Sequence, residues 1–275
     1  MDQPSLPLEL HQLIIDIIGD DAIHAQPAQR AKEDPRDSLG ACSLVCKDWH
    51  AHTLRYTFYR VHFILVDSDK DLTRRAELFR LLEVNPLITR YIRRAKIYLS
   101  LSVSPGGVET LCSAISPVET FILRLESSGF NLPSPSTLDG LRPILTAPHL
   151  RHFSIHSSHL PTSLLEALAN VRSLSLEGVR VVVVDHDSDA GPWRSSMLEK
   201  LDVTNARCFL KKIGPLMDSY CGLSAFFDHL KHLTLSFDTQ DVFADSPWHI
   251  PLARWKRLET LIVGWRVFGK SVSAQ

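Results

Sequence analysis

A six-residue pattern, apolar-x-x-apolar-x-apolar, recurs through most of the chain and constrains its fold more than any other feature. Its copies are Val118-Glu-Thr-Phe-Ile-Leu123, Leu150-Arg-His-Phe-Ser-Ile155, Val171-Arg-Ser-Leu-Ser-Leu176, Leu198-Glu-Lys-Leu-Asp-Val203, Leu230-Lys-His-Leu-Thr-Leu235 and Leu258-Glu-Thr-Leu-Ile-Val263, with a looser copy in Ile92-Arg-Arg-Ala-Lys-Ile97. Successive copies begin 26, 32, 21, 27, 32 and 28 residues apart. The alternation in the second half of each copy is that of a short strand with one buried face. Recurrence at this spacing predicts one supersecondary unit used repeatedly, each unit burying its apolar side against its neighbours.

Helical spacing fills the intervals. Val108, Leu111, Cys112 and Ile115 follow i, i+3, i+4, i+7 before Pro117, and Leu164, Leu165, Leu168 and Ala169 do the same before Asn170. Leu72, Ala76, Phe79 and Leu82 predict an earlier helix; Phe209, Ile213, Leu216 and Tyr220 predict a longer one, with a kink expected at Gly214-Pro215. Strand then helix, repeated, predicts an α/β fold with parallel strands in an irregular solenoid over residues 64–268, followed by a tail at 269–275 with no capping helix.

The first sixty residues read differently. Leu10, Leu13, Ile14, Ile17 and Ile18 form the stripe of an amphipathic helix, opened by Pro7 and Glu9 and stopped at Gly19. Residues 20–37 carry two prolines and many charges but one strong hydrophobe, which predicts a long loop. Ser38 is then expected to cap a second helix carrying Leu39, Cys42, Cys46 and Trp49 on one stripe. On such a helix Cys42, Cys46 and His50 share a face. At ~1.5 Å rise per residue, however, the first and last stand about 12 Å apart, too far for one ion with ligand bonds of ~2.0–2.3 Å. Buried thiols are expected instead, and no metal.

Three stretches, LPLELHQLIIDII, SLGACSLVCKDWH and LRYTFYRVHF, carry a family resemblance. Residues 5–63 resemble an F-box, whose pattern runs from Leu-Pro-x-Glu through an Ile- and Leu-bearing helix to Val-Cys-x-x-Trp and an aromatic pair. The inter-helical loop is longer than usual, and Tyr59 stands where Trp is common. The following units resemble the leucine-rich repeats that often follow an F-box. They depart from that pattern too: three residues after the last apolar position, where many such repeats place Asn or Cys, stand Glu126, Ser158, Val179, Ala206, Asp238 and Arg266.

The resemblance implies the substrate-recognition adaptor of an SCF-type cullin-RING ubiquitin ligase. The F-box would dock on a Skp-type adaptor joined to a cullin scaffold, through Leu6, Pro7, Leu10, Ile14, Ile18, Leu39, Val45, Cys46 and Trp49. The repeats would hold a client protein on the residues that alternate with the inward leucines, with Arg94, Lys96, Tyr98, Arg124, His152 and His156 as the candidates. Such a subunit works in the cytoplasm or nucleus, directs ubiquitin-dependent degradation, and supplies neither catalytic residue nor cofactor. Two other readings stay open: residues 5–63 as an ordinary helical cap, and the whole chain as a repeat scaffold for protein–protein interaction with no ligase role.

Composition and motif content bear on the remaining classes. Thirty Lys and Arg against 31 Asp and Glu leave a net charge of -1, so no overall field favours nucleic acid or an anionic membrane. No apolar run approaches the ~18 residues of a membrane span. The run Asp185-His-Asp-Ser-Asp-Ala-Gly191 opens like a calcium loop but has Ala190 where Gly is needed and Ser196 where the bidentate Glu belongs. GxSxG and HExxH motifs are absent from the sequence. His149, His152, His156 and His159 read as surface histidines, and Arg90, Arg93, Arg94 and Lys96 as a local basic cluster.

Overall fold

A computed structural model of the protein describes residues 7–24, 35–65, 69–100, 103, 105–115, 117–125, 134–156, 159–182, 196–219, 225–238 and 255–266. Leu6, the run 185–191, Tyr220 and the tail at 269–275 lie outside the described residues.

The described residues open with three helices, α1 (Leu8–His24), α2 (Pro35–Ser43) and α3 (Lys47–Thr57). A strand, β1 (Arg60–Leu65), follows at once, so the boundary expected between residues 63 and 64 falls inside it. Next come α4 (Asp69–Val84), α5 (Leu87–Tyr91), β2 (Arg94–Leu99), α6 (Pro105–Ala114), β3 (Thr120–Leu125), α7 (Pro135–Asp139), α8 (Arg142–Leu145) and β4 (His152–His156). The chain continues through β5 (His159–Pro161), α9 (Thr162–Glu166), β6 (Ser173–Glu177), β7 (Arg180–Val182), β8 (Lys200–Thr204), α10 (Ala206–Ser219), β9 (His232–Asp238) and β10 (Thr260–Arg266).

Eight of these strands form one all-parallel sheet in the order β1-β2-β3-β4-β6-β8-β9-β10, while β5 and β7 pair separately. The repeated pattern explains the register. The fourth and sixth positions of each copy stack strand on strand: Ala95 on Phe121, Phe153, Leu174, Leu201 and Leu233, and Ile97 on Leu123, Ile155, Leu176, Val203 and Leu235. All of these are buried. Val108, Leu111, Cys112 and Ile115 of the α6 segment, Leu164, Leu165 and Leu168 around α9, and Phe209, Leu210 and Ile213 of α10 belong to the same core. Phe121 and Phe153 stack within it, ring centroids 5.6 Å apart.

Neighbouring units are also joined by a backbone ladder at the second position of the pattern. The Arg93 carbonyl accepts the amide N–H groups of Glu119 and Thr120; that of Glu119 accepts Arg151 and His152; and Arg151, Arg172, Glu199 and Lys231 continue the series to Thr260. The Tyr59 carbonyl makes the same pair of bonds to Arg93 and Arg94. Phe58-Tyr-Arg-Val-His-Phe63 is therefore a further copy of the pattern, one that the aromatic ending of the N-terminal motif concealed.

The predicted helices differ from the observed ones at several places. α1 runs through Gly19, and α2 begins at Pro35, which puts Ser38 inside the helix instead of at its cap. The single helix expected from Ser38 is two. Amides Leu44 and Val45 bond back only three residues, to Ala41 and Cys42, and Cys46 is extended at φ -160°, ψ 172° as the N-cap of α3. α9 is shorter than its spacing suggested because Leu168 belongs to the turn after it. α7 has a capping logic the periodicity did not show: Ser134 Oγ accepts the Thr137 amide at 3.1 Å, with Pro135 in the first turn.

Candidate functional site

The N-terminal helices have a small interior of their own. Ile15, Ala22, Leu39 and Cys42 are buried together, with Ile18, Trp49 and Tyr56 packed against them. The inner face of α1 is thus Ile15, Gly19 and Ala22, rotated from the stripe expected at Leu10, Leu13, Ile14, Ile17 and Ile18. A Cβ on Gly19 would overlap the Tyr56 ring, so glycine serves here as a seat for an aromatic side chain and not as a helix stop.

Polar contacts lock α1 to α3. Asp16 Oδ1 receives the Tyr56 hydroxyl at 3.0 Å, lies 2.7 Å from His52 Nε2 and pairs with Arg55. Burial pushes the Asp16 carboxyl up, but the hydrogen bonds from His52, Arg55 and Tyr56 and the Arg55 charge outweigh it, leaving the pKa below the usual carboxylate value. The same cluster raises the pKa of Tyr56, chiefly through burial and its bond to Asp16. A cavity of about 350 Å³ lies beneath, lined by Ile23, Leu39, Thr53, Tyr56, Phe58 and Tyr59.

With its inner face satisfied, this unit still presents large apolar side chains outward. Leu8, Leu10, Leu13, Ile14 and Ile17 are exposed along α1, Ile14 by 40 % and Ile17 by 57 %. Beyond α2, Leu44 is 86 % and Val45 62 % exposed. Ile15 by contrast is 1 % exposed, so α1 is apolar on two faces, and among the described residues one of them is packed against α2 and α3.

The sequence-derived docking residues divide accordingly. Leu10, Ile14, Val45 and Cys46 are exposed, and Pro7 is exposed while its carbonyl accepts the amides of Leu10 and His11. Ile18 and Trp49 are half-buried against the internal cluster, Trp49 meeting His11 edge-on with centroids 5.2 Å apart. Leu39 is 2 % exposed; it is a core residue and offers no surface to a partner. Leu8, Leu13, Ile17 and Leu44 were missed as surface residues. Hydropathy alone shows that they are apolar, not which way they face.

The second candidate surface is the open side of the sheet. Register sets Arg94, Thr120, His152, Ser173, Lys200 and His232 in one row, and Lys96, Ile122, Ser154, Ser175, Asp202 and Thr234 in the next. A third row holds Tyr98, Arg124, His156, Glu177, Thr204 and Ser236. β1 extends the rows with Arg60, His62 and Ile64. All six sequence-derived client residues therefore stand on one face, over three adjacent strands. The Arg94 guanidinium lies over the Tyr59 ring, 5.6 Å from its centroid. His156 Nδ1 lies 2.5 Å from Glu177 Oε2, yet its pKa is lowered: burial and the charges of Arg124 and Lys96 outweigh the carboxylate.

Among the described residues, no group of three or more His, Cys, Asp or Glu side chains is arranged to hold a metal ion. Cys42 and Cys112 are buried and Cys46 exposed, and burial pushes the Cys112 thiol up to about 12. No described helix is long and apolar enough to cross a membrane. Neither a family model nor a curated protein matches the chain.

Proposed function

We propose that the chain is the substrate-recognition adaptor of an SCF-type cullin-RING ubiquitin ligase. Residues 5–63 act as an F-box that docks on a Skp-type adaptor, and the parallel-strand units form a leucine-rich-repeat-like solenoid that holds a client protein. The observation that carries this reading is the outward apolar face of α1 and the α2–α3 turn. Leu10, Ile14 and Val45, which the motif resemblance assigns to docking, are exposed there beside Leu8, Leu13, Ile17 and Leu44. Along α1 the exposed Leu10, Leu13, Ile14 and Ile17 follow i, i+3, i+4, i+7 and so share one helix face, which suits a protein partner. Covering a half-exposed Leu or Ile contributes about 1 kcal/mol, so several together supply useful binding energy. Leu39 does not belong to the docking set, because its side chain is already enclosed.

The chain would act by proximity. Docking fixes one end of the assembly, the open sheet face fixes the client, and the local concentration of client lysines near the ubiquitin-loaded enzyme rises without any nucleophile from this subunit.

Co-purification with a Skp-type adaptor and a cullin tests the reading, using the intact chain, Ile14→Asp and Val45→Asp. Both residues are exposed, so the variants should keep the native circular dichroism spectrum. Complexes formed by the intact chain and lost in the variants support the proposal. A folded intact chain that binds neither protein overturns it in favour of a free scaffold.

A further inference from the structure

We propose that the open face of β1–β4 binds an extended acidic segment of a partner protein, rich in Asp and Glu, with Lys96 and Arg124 as its anchors. The inference assigns a chemistry to the client of the preceding proposal and rests on that reading only for the partner's being a client.

The sheet's open face is electrically lopsided. From β1 to β4 its rows hold Arg60, Arg94, Lys96 and Arg124 and no carboxylate; Glu177 and Asp202 appear only from β6 onward. The chain answers two of its own cations. Arg93 pairs with Glu119 at 3.3 Å and Lys200 with Asp202 at 3.1 Å. Among the described residues, Lys96 and Arg124 form no ion pair. Both charges nonetheless lower the pKa of His156 on β4.

Geometry favours a chain of carboxylates over one compact anion. Lys96 pairs in register with Ile122, and Arg124 with Tyr98, so the two cations occupy one diagonal of a four-residue patch and the apolar pair occupies the other. With strands about 4.8 Å apart and a rise of about 3.3 Å per residue, that diagonal is roughly 8 Å long. Alternate side chains of an extended peptide are about 7 Å apart on one side, close to the same separation. Carboxylates at i and i+2 can therefore meet Lys96 and Arg124 together, while Tyr98 and Ile122 cover the peptide's aliphatic parts. Both cations stand on a paired sheet, which limits the ordering cost on binding.

The test is fluorescence anisotropy with the intact chain and a fluorescein-labelled peptide of alternating Glu and Ala, about twelve residues long so that it spans the four strands. A Gln–Ala peptide is the uncharged control. The Glu peptide should bind about tenfold or more tightly than the Gln peptide and weaken as salt rises. Lys96→Glu and Arg124→Glu should each weaken it about tenfold, whereas Lys200→Gln, at an internally paired cation, should leave it unchanged. Equal affinity for the two peptides, no binding, or indifference to Lys96→Glu and Arg124→Glu overturns the proposal. So does a single-stranded oligonucleotide that binds more tightly than the Glu peptide. The two readings fail separately: peptide binding without adaptor co-purification removes the ligase role alone, and adaptor binding without peptide binding removes the acidic client alone.

Discussion

Gly19 and Tyr56 fit each other as seat and ring. The aromatic ring of α3 rests against the backbone of α1 at the one turn where no Cβ stands in its way, and its hydroxyl is held by Asp16 at 3.0 Å. At an open helical site, Gly→Ala gains about 0.5–1 kcal/mol. At Gly19 the added carbon overlaps the ring, and overpacking of this kind costs about 1–3 kcal/mol. Gly19→Ala should therefore destabilise the helical unit. Gly40→Ala should stabilise it, since nothing lies within 4 Å of the new Cβ. Urea unfolding followed by far-UV circular dichroism checks both signs.

Asp16 makes the same unit acid-sensitive. Its folded pKa lies below the unfolded value because its bonds to His52, Arg55 and Tyr56 favour the carboxylate over the burial that opposes it. The resulting stabilisation is fully present above the unfolded value, near 3.9, and is lost as pH falls through the lower folded value. Asp16→Asn should be less stable than the native chain at neutral pH, and the difference should shrink below about pH 4. Thermal unfolding at a series of pH values measures it.

His156 reports the charge on the open sheet face. Burial, Arg124 and Lys96 lower its pKa and Glu177 raises it. Its titration, followed by NMR, should have a midpoint below the ordinary histidine value near 6.5. Removing the positive charge in Lys96→Gln or Arg124→Gln should move the midpoint up, and Glu177→Gln should move it further down. Because the folded pKa is depressed, protonation favours the unfolded chain, so this group's linkage lowers stability as pH falls below about 6.5.

The cysteines should separate by reactivity. Cys112 is buried with its thiol pushed up to about 12, so at pH 8 only about one molecule in ten thousand carries the thiolate there. Exposed Cys46 should be alkylated by iodoacetamide in the native protein while Cys112 is spared until denaturant is added. Mass spectrometry of the digested protein distinguishes them.

The sheet was legible in the sequence because parallel strands packed on one side write a period-two pattern, and each copy repeats it. From β2 to β10 every copy lies where a strand of the large sheet is found. The copy at Phe58 escaped notice because an aromatic-rich end to the helical segment and an aromatic-rich strand look alike. The β5–β7 pair was not legible, because three-residue strands are too short to build a pattern. At β10 the expected inward residues Leu261 and Val263 are exposed, and no described helix follows to cover them.

The helical unit was harder to read. A helix that is apolar on two sides has no single stripe, so spacing could not tell Ile15, facing in, from Ile14, facing out. The steps from Leu39 through Cys46 to Trp49 suit one helix, yet two helices joined by a short turn keep the same spacing and put Cys42 inside and Cys46 outside. The open-face residues were easier, since strand alternation assigns a face once the buried one is known.

The most direct measurement is isothermal titration of a purified Skp-type adaptor into the intact chain and into Ile14→Asp. The account predicts saturable binding to the intact chain and a loss of about tenfold or more in affinity for a folded Ile14→Asp variant, because a carboxylate would then face an apolar partner surface. Equal affinity for the two proteins, or no binding to the intact chain, would contradict a docking role for the outward face of α1.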